Sequence, residues 1–154
     1  MSAEFVVINA VGVVAFGDVA TLSTDVMEDL FMTNTFIPIM VATKAMNTLS
    51  SGGVIVNISG VIAEQNLPGM VAYGASKAAL RAFDEGLARE ARRKGVRVID
   101  ARPPHTETGL AGRAIAGTAP KMGEGLTPEI VARVICDGIE SGATDLGSKD
   151  FLAN

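Results

Sequence analysis

Tryptophan is absent from this 154-residue chain, and tyrosine, cysteine and histidine occur once each. A single cysteine, Cys136, excludes an internal disulfide and fits a reducing compartment. One cysteine with one histidine also leaves no ligand set for a metal, so no metal site is expected. Basic residues are scarce: 13 Lys and Arg against 17 Asp and Glu give a formal net charge of −4, which offers no footprint for nucleic acid. Their one tight cluster, Arg92-Arg93-Lys94, falls where a helix should end and cations suit the helix dipole. No apolar run approaches the length of a membrane span, and Glu4 stands where a signal peptide would be basic. These absences point to a cytoplasmic protein without a membrane or nucleic-acid partner.

What is present is a globular composition, 48% hydrophobic and 19% charged, long enough for one domain over residues 1–154. Residues 5–14, FVVINAVGVV, are apolar and β-branched without alternation, as in a parallel strand covered on both faces. Thr24 or Asp25 can cap a helix running to about Leu49, with Glu28 in capping-box spacing from Asp25. Pro38 lies inside that helix, removes a backbone donor and predicts a kink near Asn34. A Ser-Ser-Gly-Gly turn leads into a second buried strand over residues 54–59. A helix over residues 71–94 follows, with a stripe of Ala72, Ala75, Ala79, Ala82, Phe83, Gly86 and Leu87, and Gly95 stops it. Residues 96–101 form a third strand. Residues 103–126 are rich in Gly, Pro, Ala and Thr without a period, which suggests a functional loop. Thr127-Pro128-Glu129 starts a last helix whose buried face is Ile130, Val131, Val134, Ile135 and Ile139. Residues 145–154 read as a polar tail with at most a short strand. Strands alternating with helices predict an α/β fold, a Rossmann-like parallel sheet with flanking helices, whose ligands bind beyond the carboxyl ends of the strands.

The chemistry concentrates at Tyr73-Gly-Ala-Ser-Lys77. Residues four apart share a helix face, so the phenol and the ammonium project into the same space. A cation there would lower the phenol's pKa toward working pH and make Tyr73 a general acid/base. The same spacing also suits a half-buried ring beside a solvated lysine.

The surrounding text resembles the short-chain dehydrogenase/reductase family: Gly-Gly-Val-Ile-Val-Asn-Ile-Ser precedes the motif, and Ser-Lys-Ala-Ala-Leu runs through its end. Asn9-Ala10-Val11-Gly12 resembles the family's Asn-Asn-Ala-Gly turn, with Ala10 and Val11 as departures. The resemblance implies hydride transfer between a nicotinamide cofactor, NAD or NADP, and a small carbonyl or alcohol substrate. It implies Tyr73 as proton donor and acceptor, Lys77 on the nicotinamide ribose, and Asn34 in a water-mediated proton relay. Aligned without gaps from Tyr73, the family's polarising serine falls on Gly60, with Ser59 one residue earlier and carried as the candidate. Asn9, Ala10, Gly12, Pro103 and Thr108 would meet the cofactor, although Pro104 replaces a glycine of the family's Pro-Gly-x-x-x-Thr. His105 could contact substrate or be a solvated loop residue.

The family's glycine-rich pyrophosphate turn is not found. Gly12-x-x-x-x-Gly17 and Gly112-x-x-x-x-Gly117 lack the following lysine of a phosphate loop. The resemblance begins at the family's fourth strand, so the expectation is a truncated, Rossmann-like catalytic portion that binds NAD(P) weakly. The kinked helix and the tyrosine helix resemble the family's subunit-contact pair, which implies a homo-oligomer. A non-catalytic remnant serving as an interaction or oligomerisation module is the alternative.

Overall fold

The computed structural model describes residues 5–153; Glu4 and Asn154, both used in the sequence reading, lie outside it. Three strands, β1 (Val6–Asn9), β2 (Val54–Ile58) and β3 (Arg97–Ala101), form a parallel sheet in the order β1-β2-β3. Between them run the helices α1 (Thr24–Phe31) and α2 (Ile37–Thr48), then α3 (Val71–Ala91), with α4 (Pro128–Ser141) following the last strand. The architecture is the α/β, Rossmann-like sheet with flanking helices that the alternation predicted.

Strand side chains alternate between the two faces. Val54, Val56, Ile99 and Ala101 pack against Val131, Val134 and Ile135 of α4, with Leu146 and Phe151 completing that core. Ile55 and Val98 face the other way, onto Ala42 and Ala45 of α2 and Leu87 and Ala91 of α3. β2 is therefore covered on both sides, as expected. β1 is not: it is the sheet edge, and Val6 and Ile8 are 40% and 47% exposed. The expectation of a long strand buried on both faces is corrected here, because α4 covers β2 and β3 but does not reach β1.

The helix before β2 begins one residue earlier than expected, with Ser23 as the cap accepting from the Val26 N–H. Its predicted irregularity is a π-helical turn, Met32–Phe36, in which the Ile37 N–H reaches back to the Met32 carbonyl. Pro38, with no N–H to give, follows directly.

Two further expectations fail. In α3 the buried face is Gly74, Ser76, Lys77, Leu80, Asp84, Leu87 and Ala91, while Ala75, Ala82 and Gly86 are exposed. The stripe was misplaced because the sheet-facing side carries polar residues that dock onto polar strand ends. The polar tail is also wrong. Leu146 bridges Ala101 in parallel, and Phe151, in a short 3-10 helix (Ser148–Phe151), is fully buried.

Candidate active site

The carboxyl ends of all three strands open into one cavity of about 430 Å³. Ala10 and Gly12 follow β1, Ser59 and Gly60 follow β2, Pro103 and Thr108 follow β3, and α3 contributes Tyr73 and Lys77. These eight residues, all named from sequence, share its wall. Asn9 and Asn34 do not.

Asn34 sits in the π-helical turn and is fully buried. Its amide nitrogen donates to the Val13 carbonyl at 2.9 Å and to Ser76 Oγ at 3.0 Å, and its oxygen accepts from the Val13 N–H at 2.9 Å. The wide turn thereby fastens the loop after β1 to the tyrosine helix. Alternation turns Asn9 away from the cavity, toward α3. There Asn9 Nδ2 donates to Asn57 Oδ1 at 2.5 Å, and Asn57 Nδ2 donates to Asp84 Oδ1 at 2.5 Å. Asp84 Oδ2 is buried without a partner, and burial pushes the carboxyl up to about 8.

Lys77 is 5% exposed, and its Nζ donates to the Ile58 carbonyl at 2.9 Å. Gly12 and Lys77 line the cavity side by side: a Cβ placed on Gly12 would lie 3.5 Å from that Nζ, in ordinary contact. Burial lowers Lys77 to about 8, with Asp100 opposing the shift. The expected lowering of Tyr73 is overturned: burial pushes the phenol up to about 12. Removing a half-buried ring from water disfavours its anion. The Tyr73 hydroxyl has no hydrogen-bond partner among the described residues.

Ser59 is fully buried, and its hydroxyl donates to Asp100 Oδ1. Asp100 is raised by burial, against the hydrogen bond from Ser59 and the pairing with Arg102. The guanidinium of Arg102 donates to Asp145 through Nη1 and Nη2 at 2.7 and 2.6 Å, to Asp100 at 2.5 Å and to Glu64 at 2.8 Å. Glu64 also takes the N–H and hydroxyl of Ser148. Burial would raise Glu64, but Ser148 and Arg102 hold it at about 2. Gly60, where the gap-free alignment places the serine, has φ 84°, a conformation that disfavours any side chain there.

Sequence reasoning did not find the apolar wall, which includes Ile62, Leu67, Met70, Leu110 and Met122, nor Arg113 on the same cavity. Leu67, Leu110, Arg113 and Met122 come from loops and short turns, where no periodicity points inward. His105, in the loop after β3, lines the cavity too, with Glu107 Oε1 3.2 Å from its Nε2. Among the described residues, no group of three or more His, Cys, Asp and Glu could hold a metal ion, and no helix is long and apolar enough to cross a membrane.

The family model described as short chain dehydrogenase matches residues 5–118. The chain is 32% identical over 106 residues to the cyclic-di-GMP-binding biofilm dispersal mediator protein of Escherichia coli, covering 68% of this chain and 44% of that protein. It is 38% identical over 99 residues to carbonyl reductase family member 4 of Danio rerio, covering 62% of this chain and 41% of that protein. A short chain dehydrogenase from Burkholderia cenocepacia, solved in complex with NADP, superposes with a TM-score of 0.80 at 23% identity, over 93% of this chain and 62% of that one. That likeness shows a shared fold, and this chain spans less than half the length of the two curated relatives.

Proposed function

The chain belongs to the short chain dehydrogenase family, and from that premise we propose that it is the catalytic portion of an NAD(P)-dependent oxidoreductase acting on a small carbonyl or alcohol. One observation carries the reading: Tyr73 and Lys77, one helical turn apart, open into the cavity at the strand ends, and the tyrosine hydroxyl has no protein partner. The cavity, with the small residues Ala10 and Gly12 on one wall and the ammonium of Lys77 beside them, has room for the nicotinamide end of a dinucleotide. Ala10, Gly12, Lys77, Pro103 and Thr108 would hold it. When bound, a nicotinamide supplies or takes up the hydride.

The protein's own part is proton transfer. With its phenol pushed up to about 12, Tyr73 is protonated near neutral pH and placed to donate to a substrate oxygen. That protonated phenol is the form that donates in carbonyl reduction. Lys77, buried and still cationic below about pH 8, supports negative charge developing at that oxygen. Asn34 acts by positioning the loop after β1 and Ser76 rather than by touching substrate. In any form of the protein that turns over, Tyr73→Phe should lower kcat by roughly 10²–10⁴-fold, the usual worth of a positioned acid. Retention of wild-type kcat would defeat the assignment.

The second reading, a non-catalytic interaction module, draws support from Gly60 and from the commitment of Ser59 to Asp100. Both readings include self-association. Phe31, Phe36 and Met40 on the kinked helix are 41–54% exposed, beside the small exposed residues of α3. A monodisperse monomer in light scattering would contradict a homo-oligomer. The single, exposed Cys136 agrees with a reducing, cytoplasmic setting, which detection of the native protein in a secreted fraction would contradict.

A further inference from the structure

Beyond the strand β3, His105 and Glu107 sit two residues apart and their side chains meet. The backbone between them is pinned by a parallel bridge of Thr106 with Leu126. The Leu126 N–H donates to the His105 carbonyl at 2.9 Å, and the Glu107 N–H donates to the Leu126 carbonyl at 2.8 Å. Glu107 Oε1 lies 3.2 Å from His105 Nε2 and also accepts the Gly125 N–H at 2.9 Å. The ring packs so closely on Gly125 that a Cβ there would lie 2.7 Å from Cδ2. One edge of the imidazole, Cδ2–Nε2, is thus occupied by Gly125 and Glu107. The other edge carries Nδ1, which has no partner among the described residues, and the residue lines the same cavity as Tyr73.

A carboxylate oxygen 3.2 Å from Nε2 favours the proton on that nitrogen and leaves Nδ1 as an acceptor. The other polar groups nearby are donors or already engaged. Tyr73 and Lys77 donate, the Thr106 hydroxyl is given to the Pro104 carbonyl, and the Ser59 hydroxyl to Asp100. We propose that His105, oriented by Glu107, is a specificity-determining residue that accepts a hydrogen bond from a hydroxyl next to the substrate's reacting carbonyl, so that the cavity selects hydroxy ketones with an apolar body. Tyr73 would serve the carbonyl, His105 the neighbouring hydroxyl, and Leu67 and Met70 the apolar remainder. The inference rests on the carbonyl reading of this cavity.

The chain has one histidine, so its imidazole nitrogens give one assignable pair of nitrogen-15 NMR signals. Titrating the 154-residue chain with phenacyl alcohol and with acetophenone compares two ligands that differ by one hydroxyl. Phenacyl alcohol should bind about fivefold tighter, the scale of one neutral hydrogen bond, and should move the Nδ1 signal upfield. Acetophenone should leave that signal in place, and His105→Phe, which keeps a ring against Gly125, should erase the preference. Equal affinities, a stationary Nδ1 signal, binding of neither ketone, or a preference that survives His105→Phe would each overturn the assignment. Titration with NADPH, followed through the side chain of Tyr73, tests the oxidoreductase reading separately. A nicotinamide response with no hydroxyl preference would sink the role of His105 and leave that reading standing.

Discussion

Two buried polar clusters meet at the ends of the same strands, and they are built on opposite rules. Around Arg102, every strong donor finds an acceptor: Asp100, Asp145 and Glu64 share one guanidinium, and Ser59 and Ser148 complete the carboxylates. Around Tyr73, the hydroxyl is unpartnered and Lys77 spends one hydrogen bond on the Ile58 carbonyl. An unmade hydrogen bond in a dry interior is costly, so structural clusters close on themselves. Capacity left open at a cavity wall is capacity kept for a ligand. Ser59 lines the cavity, but its hydroxyl is committed to Asp100 in the closed cluster.

The sharpest way to break the comparison is to open the closed cluster. Arg102→Met would strand the buried Asp100 and loosen Asp145 and Glu64, costing about 3 kcal/mol in urea unfolding, the scale of a disrupted buried ion pair. A loss below about 1 kcal/mol, typical of surface pairs, would show that the cluster is solvent-screened and not structural. Because Asp145 ties the last segment to Arg102 after β3, and Ser148 ties it to Glu64 after β2, the variant should also expose Phe151 to solvent.

Asp84 is the exception to both rules, since its Oδ2 is buried, unpartnered and outside the cavity wall. Protonation resolves the conflict. Its folded pKa of about 8 stands above the ordinary value of 3.8, so the folded state holds a proton that the unfolded state releases between those two values. Stability therefore falls as pH rises from about 4 to about 8, and the cost is complete above that window. Lys77, lowered to about 8, works in the opposite sense and restores stability between about 8 and its ordinary 10.5. Asp84→Asn, which mimics the neutral carboxyl, should flatten the decline in stability across the Asp84 window. An unchanged pH profile in this variant would mean that Asp84 is ionised and solvated.

The smallest effect separates the clusters at their shared residue. Ser59→Ala removes a hydrogen bond to a buried carboxyl and should cost about 1 kcal/mol of stability, while kcat stays within about twofold. A fall in kcat of a hundredfold or more with stability intact would return Ser59 to the catalytic role that the resemblance implied.

Much of the scaffold was legible in the sequence because its determinants are local. The β-branched runs, the Thr127-Pro128 start of α4, the stop at Gly95 and the interruption before Pro38 each depend on a few neighbouring residues. The failures depend on partners distant in sequence. Asp145 reads as a tail residue until Arg102, 43 positions earlier, is placed beside it. The helix face of α3 was misread because Ser76, Lys77 and Asp84 dock onto Asn34, the Ile58 carbonyl and Asn57 across 19–42 positions, and no apolar pattern marks such a face. At the site, the Tyr73–Lys77 pair was legible from helical spacing. The sign of the tyrosine's shift was not, because it depends on how much water the folded chain removes.

The central claim is that these 154 residues would hold the nicotinamide end of the cofactor in the cavity lined by Gly12 and Lys77 and leave the phosphates without a dedicated loop. Titrating the purified chain with NADPH and NADH while following nicotinamide fluorescence tests it most directly. Each charge-assisted phosphate contact not made is worth roughly 1.5–3 kcal/mol. The account predicts a dissociation constant weaker than about 100 µM for either cofactor, and any such binding should be lost in Lys77→Met. A dissociation constant near 1 µM that Lys77→Met leaves unchanged would contradict it.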